Sequence, residues 1–242
     1  MSEPTRAASR SGPPPVGIDE IRAARELLAG IITETPVAGS RALSEIVGGP
    51  VWLKCENLQR TGSFKIRGAY TRLARLDDAQ RARGVVAASA GNHAQGVALA
   101  ASMLGIAATV YMPRGAALPK LGATRGYGAT VEQFGETIDE SIAAAIAFAE
   151  QTGAEFVHPF DHPDIVAGQG TVGLELLEQV PDVETVLVCT GGGGLLGGVA
   201  AAVRAQRPGV RIIGVQAAGA AAWPASLAAG SPVARPSMRT IA

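Results

Sequence analysis

Apolar and polar positions along the chain switch between two periods, and the switches predict its elements. Ile21, Ala24, Leu27, Leu28 and Ile31 recur at three and four positions, the spacing of one helical face, with Asp19 as the expected N-cap. Val51-Trp52-Leu53 has the character of a short strand. Beyond it, short apolar or β-branched runs alternate with helical windows. The predicted strands are Val85-Val86-Ala87-Ala88, Ala108-Thr109-Val110-Tyr111, Thr130-Val131-Glu132, Glu155-Phe156-Val157, Thr185-Val186-Leu187-Val188-Cys189 and Arg211-Ile212-Ile213-Gly214-Val215. Helices are expected between them at about 66–75, 93–104, 118–127, 137–152, 165–179, 194–206 and 218–229. Strands alternating with helices through short connections form βαβ units. The fold class is therefore α/β, with mostly parallel sheets covered by helices on both faces.

Composition sharpens this picture. A chain of 242 residues is long enough to bury one large α/β core or two small ones. With 47% apolar and 17% charged residues, wholesale disorder is excluded. The 31 glycines, well above usual frequency, imply tight turns and close helix packing. Lys+Arg and Asp+Glu are both 21, a balance unlike that of nucleic-acid modules or binders of anionic membranes. No apolar stretch is long enough to span a membrane. Residues 1–16, rich in Ser, Pro, Ala and Arg, read as a disordered lead-in rather than a secretory signal. Two cysteines, Cys55 and Cys189, cannot form a disulfide scaffold, so a reduced, cytoplasmic setting is expected.

In parallel α/β sheets ligands bind outside the carboxyl ends of the strands. The first loop of interest follows Val188-Cys189-Thr190, where Gly191, Gly192, Gly193 and Gly194 lead through Leu195 into a helix. Glycines let backbone amides approach an anion, and the helix N-terminus adds free N–H groups and a positive dipole end, which suits a phosphate. A tight packing turn is the structural alternative. Gly192, Gly194 and Gly197 satisfy G-x-G-x-x-G, but the acidic ribose anchor expected after the next strand is replaced by Gln216. No Walker A lysine is present.

The second loop is Gly62-Ser63-Phe64-Lys65-Ile66-Arg67-Gly68-Ala69. Lys65, between apolar neighbours at a helix start, is either a surface lysine or an amine whose pKa is lowered by burial. In the second case it can act as a nucleophile or Schiff base. The third loop, Ser89-Ala90-Gly91-Asn92-His93-Ala94-Gln95-Gly96, opens a helix after a strand and suits a carboxylate, with a plain capping loop as the alternative. His93 could be a base there, although a helix N-terminus disfavours its charged form. His158-Pro159-Phe160-Asp161-His162-Pro163 gathers two histidines and a carboxylate, but its prolines keep both rings off one helical face, so a structured turn rather than a metal site is expected.

Taken together, the lysine, Ser-Ala-Gly-Asn-His and glycine motifs resemble those of the fold-type II (tryptophan synthase beta-like) pyridoxal phosphate enzymes. Among these the likeness is to threonine ammonia-lyases, or threonine dehydratases. Pro159-Phe160-Asp161-His162-Pro163 and Ala167-Gly168-Gln169-Gly170-Thr171 extend it. The resemblance implies a large domain from 17–83 and 156–242, a small domain from 84–155, and a homo-oligomer. It implies that Lys65 carries pyridoxal 5'-phosphate as a Schiff base and removes the substrate α-proton. Gly191, Gly192, Gly193, Gly194 and Leu195 would hold the phosphate, Asn92 the pyridine 3-oxygen, and Phe64 would pack near the cofactor. Ser89, Ala90, Gly91, Asn92 and His93 would bind the substrate carboxylate. The implied reaction is dehydration and deamination of L-threonine to 2-oxobutanoate and ammonia, with L-serine giving pyruvate, in isoleucine biosynthesis or threonine catabolism. The cofactor phosphate would protonate the leaving hydroxyl. Ala90 stands where serine racemases of this family carry a serine base, which implies elimination without efficient racemisation. Gln216, Ala220 and Ala222 replace the acidic metal ligands of those racemases, so no metal is expected. The family pattern continues past Ala242, so the chain is expected to lack the C-terminal part of the large domain, including the partner of the pyridine nitrogen, and to expose edge and apolar surface. Three other readings stand beside this one: a serine dehydratase or other fold-type II enzyme, a non-catalytic remnant, and a nucleotide-binding oxidoreductase.

Overall fold

The computed structural model describes residues 16–234 and Thr240. The expected lead-in over 1–16, apart from Val16, lies outside the described residues. The first helix, α1 (Ile18–Leu28), is capped by Gly17 and not by Asp19. The Glu20 carboxylate reaches back to accept from the Gly17 N–H at 3.0 Å, and Asp19 sits within the first turn, where its charge favours the helix dipole. Ile31, expected on the same stripe, lies beyond the helix in the turn that follows.

Next come β1 (Val37–Gly39), α2 (Arg41–Val47) and β2 (Trp52–Lys54). The two strands pair antiparallel, with Val37 opposite Lys54. Neither β1 nor α2 shows in the apolar pattern, because a three-residue strand and a helix without buried residues carry no period. After α3 (Lys65–Ala74) and the short, unpredicted α4 (Asp78–Arg83), the chain enters strictly alternating β/α structure. Its elements are β3 (Val85–Ala88), α5 (Asn92–Leu104), β4 (Ala108–Met112), α6 (Leu118–Gly126), β5 (Thr130–Gln133), α7 (Ile138–Thr152) and β6 (Glu155–Phe156). These four strands form one parallel sheet in the order β5-β4-β3-β6. Every residue of central β3 is buried. Val85 and Ala87 face the core shared with α3 and α5, while Val86 and Ala88 face α7, so helices cover both sides.

The remaining elements are α8 (Pro163–Gln179), β7 (Thr185–Cys189), α9 (Gly194–Gln206), β8 (Arg211–Val215) and α10 (Trp223–Ala229). The helix expected over 218–229 is divided: a 3-10 turn at Ala218–Ala220 precedes α10, and Pro224 sits in the first turn of that helix. β7 and β8 pair in parallel. Val186 and Val188 pack against α9, whereas Leu187, Ile213 and Val215 are exposed on the other face.

Helix α8 links the two parallel sheets, and its Ala167-Gly168-Gln169-Gly170-Thr171 stretch is built for close contact. A Cβ on Gly168 would stand 2.5 Å from the Arg67 carbonyl of α3. One on Gly198 of α9 would stand 2.6 Å from the Gly170 nitrogen. Three helices thus approach at backbone distance, which fixes α3 relative to α9. The same interface buries charge. Arg67 is fully buried and donates to Glu56 and Glu175, and also to Thr171 Oγ1 at 3.0 Å. Lys54 donates to Glu175 and Gln179, closing a network in which each buried charge has an opposite partner.

Candidate active site

Lys65 is the first residue of α3, and its amide donates to the buried Ser63 hydroxyl at 3.3 Å. Its Nζ donates a 2.6 Å hydrogen bond to the Pro159 carbonyl and lies 5.4 Å from the centre of the Phe64 ring. Burial disfavours the ammonium and lowers its pKa from 10.5 to about 8. No carboxylate offsets this effect, so Lys65 is a desolvated amine and not a surface lysine.

The loop Ser89-Ala90-Gly91-Asn92-His93 joins this point through α5. A Cβ on Gly96 would come within 3.1 Å of the Lys65 carbonyl carbon, so only glycine lets α5 pack against the start of α3. The Gly91 amide donates to Ser89 Oγ at 3.1 Å, and α5 opens at Asn92 without a side-chain cap. His93 departs from its expected possible use as a base. Its ring is buried, and Nε2 donates to the Val157 carbonyl at 2.9 Å. Burial, reinforced by Lys65, lowers its pKa to about 3, so the ring is a neutral structural donor.

The glycine loop forms the third side. Gly193 caps α9 with φ +97°, a backbone conformation that favours glycine, and no side chain caps the helix. Around Gly191 there is open space. Gly192 and Gly194 lie against Phe160, where a Cβ would meet the ring or its carbonyl at 2.2 and 2.8 Å. Leu195 and Phe64 pack on one apolar cluster, which joins the lysine turn to the glycine loop.

The turn expected from His158 to Pro163 is present, and its role in holding these parts together is what the sequence did not reveal. His158 Nδ1 accepts from the Asp161 and Phe160 amides at 2.7 and 3.3 Å, and its ring meets Phe160 edge-on at 4.7 Å. His162 is the N-cap of α8, with Nδ1 accepting from the Asp164 amide at 3.1 Å. Both Nδ1 atoms serve the backbone, in keeping with a structured turn. That turn presents the Pro159 carbonyl to Lys65 and the Phe160 ring to the glycines. Trp223 was also missed. Its Nε1 donates to the Gly191 carbonyl at 2.8 Å, and its ring lies against Gly193. It lines a cavity of about 300 Å³ with Thr190, Leu196, Gly214, Gln216 and Pro224, beside the glycine loop. No helix among the described residues is long and apolar enough to cross a membrane.

The chain is similar in sequence and fold to known proteins. The chain is 52% identical over 215 residues to an L-threonine ammonia-lyase of Thermotoga maritima, covering 89% of this chain and 54% of that protein. It is 49% identical over 198 residues to an L-threo-3-hydroxyaspartate ammonia-lyase of a Pseudomonas species, covering 82% of this chain and 62% of that one. The structure of maize serine racemase superposes with a TM-score of 0.90 at 41% identity, covering 94% of this chain and 69% of that chain. The chain thus spans between about half and two thirds of the length of the curated relatives it matches. The family described as "Pyridoxal-phosphate dependent enzyme" matches residues 28–242, and the chain belongs to that family.

Proposed function

We propose that this chain carries the cofactor site of a threonine ammonia-lyase that dehydrates and deaminates L-threonine to 2-oxobutanoate, and L-serine to pyruvate, with release of ammonia. The carrying observation is the desolvated Lys65 amine, with a pKa near 8, held at 2.6 Å by Pro159 beside the glycine loop. The residues present fit pyridoxal phosphate. The open space at Gly191 and the uncapped N-terminus of α9 suit a phosphate, and Lys65 suits attachment to an aldehyde. When bound, the cofactor supplies an electron sink that makes the substrate α-proton removable.

The chain's residues then divide the work. Gly191, Gly192, Gly193, Gly194 and Leu195 would hold the phosphate through backbone amides. Phe64 would pack near the cofactor, and Asn92 would hydrogen-bond its 3-oxygen. Ser89, Ala90, Gly91, Asn92 and His93 receive the substrate carboxylate, with His93 acting by position and not by charge. Lys65 Nζ would attach the cofactor and would take the proton from the substrate Cα, which its lowered pKa favours near neutral pH. The large domain of this reading comprises 17–83 and 156–242 and the small domain 84–155, with β3, β4 and β5 of the four-stranded sheet in the small one and β6 at the boundary. A cytoplasmic homo-oligomer completes it, in keeping with the free cysteines Cys55 and Cys189 and exposed apolar residues such as Ile46, Val47 and Trp52.

Serine racemisation is the second reading, favoured by the superposition on maize serine racemase. Ala90 weighs against it, since a methyl group cannot move a proton. The test is to add pyridoxal phosphate to the purified chain, reduce with borohydride and map the modified lysine by mass spectrometry beside a Lys65→Ala control. Label on Lys65 alone, followed by keto-acid formation from L-threonine, is the expected result. No label, or label on Lys54 or Lys120 and not on Lys65, would overturn the proposal, and chirality analysis of L-serine after incubation separates racemisation from elimination.

A further inference from the structure

Backbone amides can receive a carboxylate, and a counter-charge strengthens and selects that contact; the Ser89-Ala90-Gly91-Asn92-His93 loop itself supplies none. His93 is neutral and its Nε2 is engaged by Val157. Lys65 is committed to the Pro159 carbonyl. One cation reaches the loop from α6. Lys120 Nζ stands 3.3 Å from where a Cβ on Gly91 would be, directly over the start of α5.

Three features mark this placement. The chain has three lysines, and the ammonium groups of Lys54 and Lys65 are bonded. That of Lys120 makes no hydrogen bond or ion pair among the described residues, although Asp and Glu are plentiful on the surface. Lys120 is also the third residue of α6, where a positive charge opposes the helix dipole, so helix stability does not account for it. Finally, the residue beneath it is glycine, and a larger side chain at position 91 would fill the space below the ammonium.

We propose that Lys120 is a specificity-determining residue of this site, pairing with the α-carboxylate of the amino-acid substrate above Gly91. This rests on the function proposed above. The α-carboxylate would sit between the Lys120 ammonium and the first amides of α5, so the pairing selects substrates that carry a carboxylate at Cα.

The test uses the chain loaded with pyridoxal phosphate, with Lys120→Gln and Lys120→Arg beside it. Ligand binding is followed by the visible absorbance of the bound cofactor. Lys120→Gln should weaken half-saturation by L-threonine about 10- to 100-fold, the loss expected for one charge-assisted hydrogen bond. It should leave half-saturation by L-threoninol, which lacks the carboxylate, unchanged, and borohydride should still label Lys65. Lys120→Arg should recover most of the loss. Equal weakening of L-threonine and L-threoninol would overturn the proposal. So would a variant that spares L-threonine and weakens only L-threo-3-hydroxyaspartate, since Lys120 would then serve a side-chain carboxylate. If the wild-type chain takes no label at Lys65, it is the enzymatic reading that fails. Calorimetric titration of malonate then tests the pairing alone, and absent binding, or equal affinity in wild type and Lys120→Gln, overturns it.

Discussion

Lys65 Nζ donates to the carbonyl oxygen of Pro159 at 2.6 Å, and the residue after Pro159 is the one on which the glycine loop rests. One turn therefore sets the position of both the amine and the glycine loop. The contact also keeps a desolvated amine in place without a counter-charge, which leaves its pKa near 8.

That pKa fixes how condensation with an aldehyde should depend on pH. An amine titrating near 8 is neutral in about one molecule in ten at pH 7, against roughly one in 3,000 for an amine at 10.5. The rate of pyridoxal phosphate attachment at Lys65 should rise with pH and level off above about 8. Attachment to the free amino acid lysine as a reference amine, with its side chain near 10.4, should keep rising past 10. Borohydride trapping at a series of pH values, with the sites read by mass spectrometry, measures both curves. A Lys65 curve that still climbs at pH 10 would contradict the burial argument.

The glycines of the loop should differ in their tolerance. Gly191→Ala meets open space, so thermal stability of the cofactor-free chain should stay within about 0.5 kcal/mol of wild type. Gly192→Ala places a Cβ 2.2 Å from the Phe160 ring and should cost about 1–3 kcal/mol by overpacking. Thermal or urea denaturation of the two variants makes the comparison.

Arg67→Met should be among the most damaging single changes. It leaves Glu56 and Glu175 near a fully buried position with only Lys54 to offset them. Breaking a buried ion pair by removing one partner typically costs about 3–5 kcal/mol. Urea titration reads the loss, and a change below about 1 kcal/mol would mean the network relaxes to water.

Helix glycines give an internal control. Gly198→Ala would press a Cβ within 2.3 Å of the Val166 carbonyl and should force α8 and α9 apart, lowering the melting temperature. Gly122→Ala, in α6 with open space around it, should instead stabilise by about 0.5–1 kcal/mol through helix propensity. Opposite signs in the same denaturation assay are the expected outcome.

The chain's periodicity by itself determined the alternation from β3 to β8. Val85 to Ala88 is a continuous buried run and Thr185 to Cys189 a β-branched and apolar run with Leu187 and Cys189 exposed; both are bounded by turns, and such short runs specify strands locally. The glycine loop and the Lys65 turn were legible for a similar reason, since their chemistry is written in consecutive residues. Short elements such as β1 and α2 were not, because they hold their places through neighbours and not through a period. Only the tertiary structure decided that His93 is a silent structural donor, that Pro159 and Phe160 tie the amine to the glycine loop, and that Lys120 stands over Gly91. Each of these depends on burial or on contact between residues far apart in sequence. Desolvation and long-range approach are properties of the packed chain, and residue order records them only where glycine is needed to let two backbones meet.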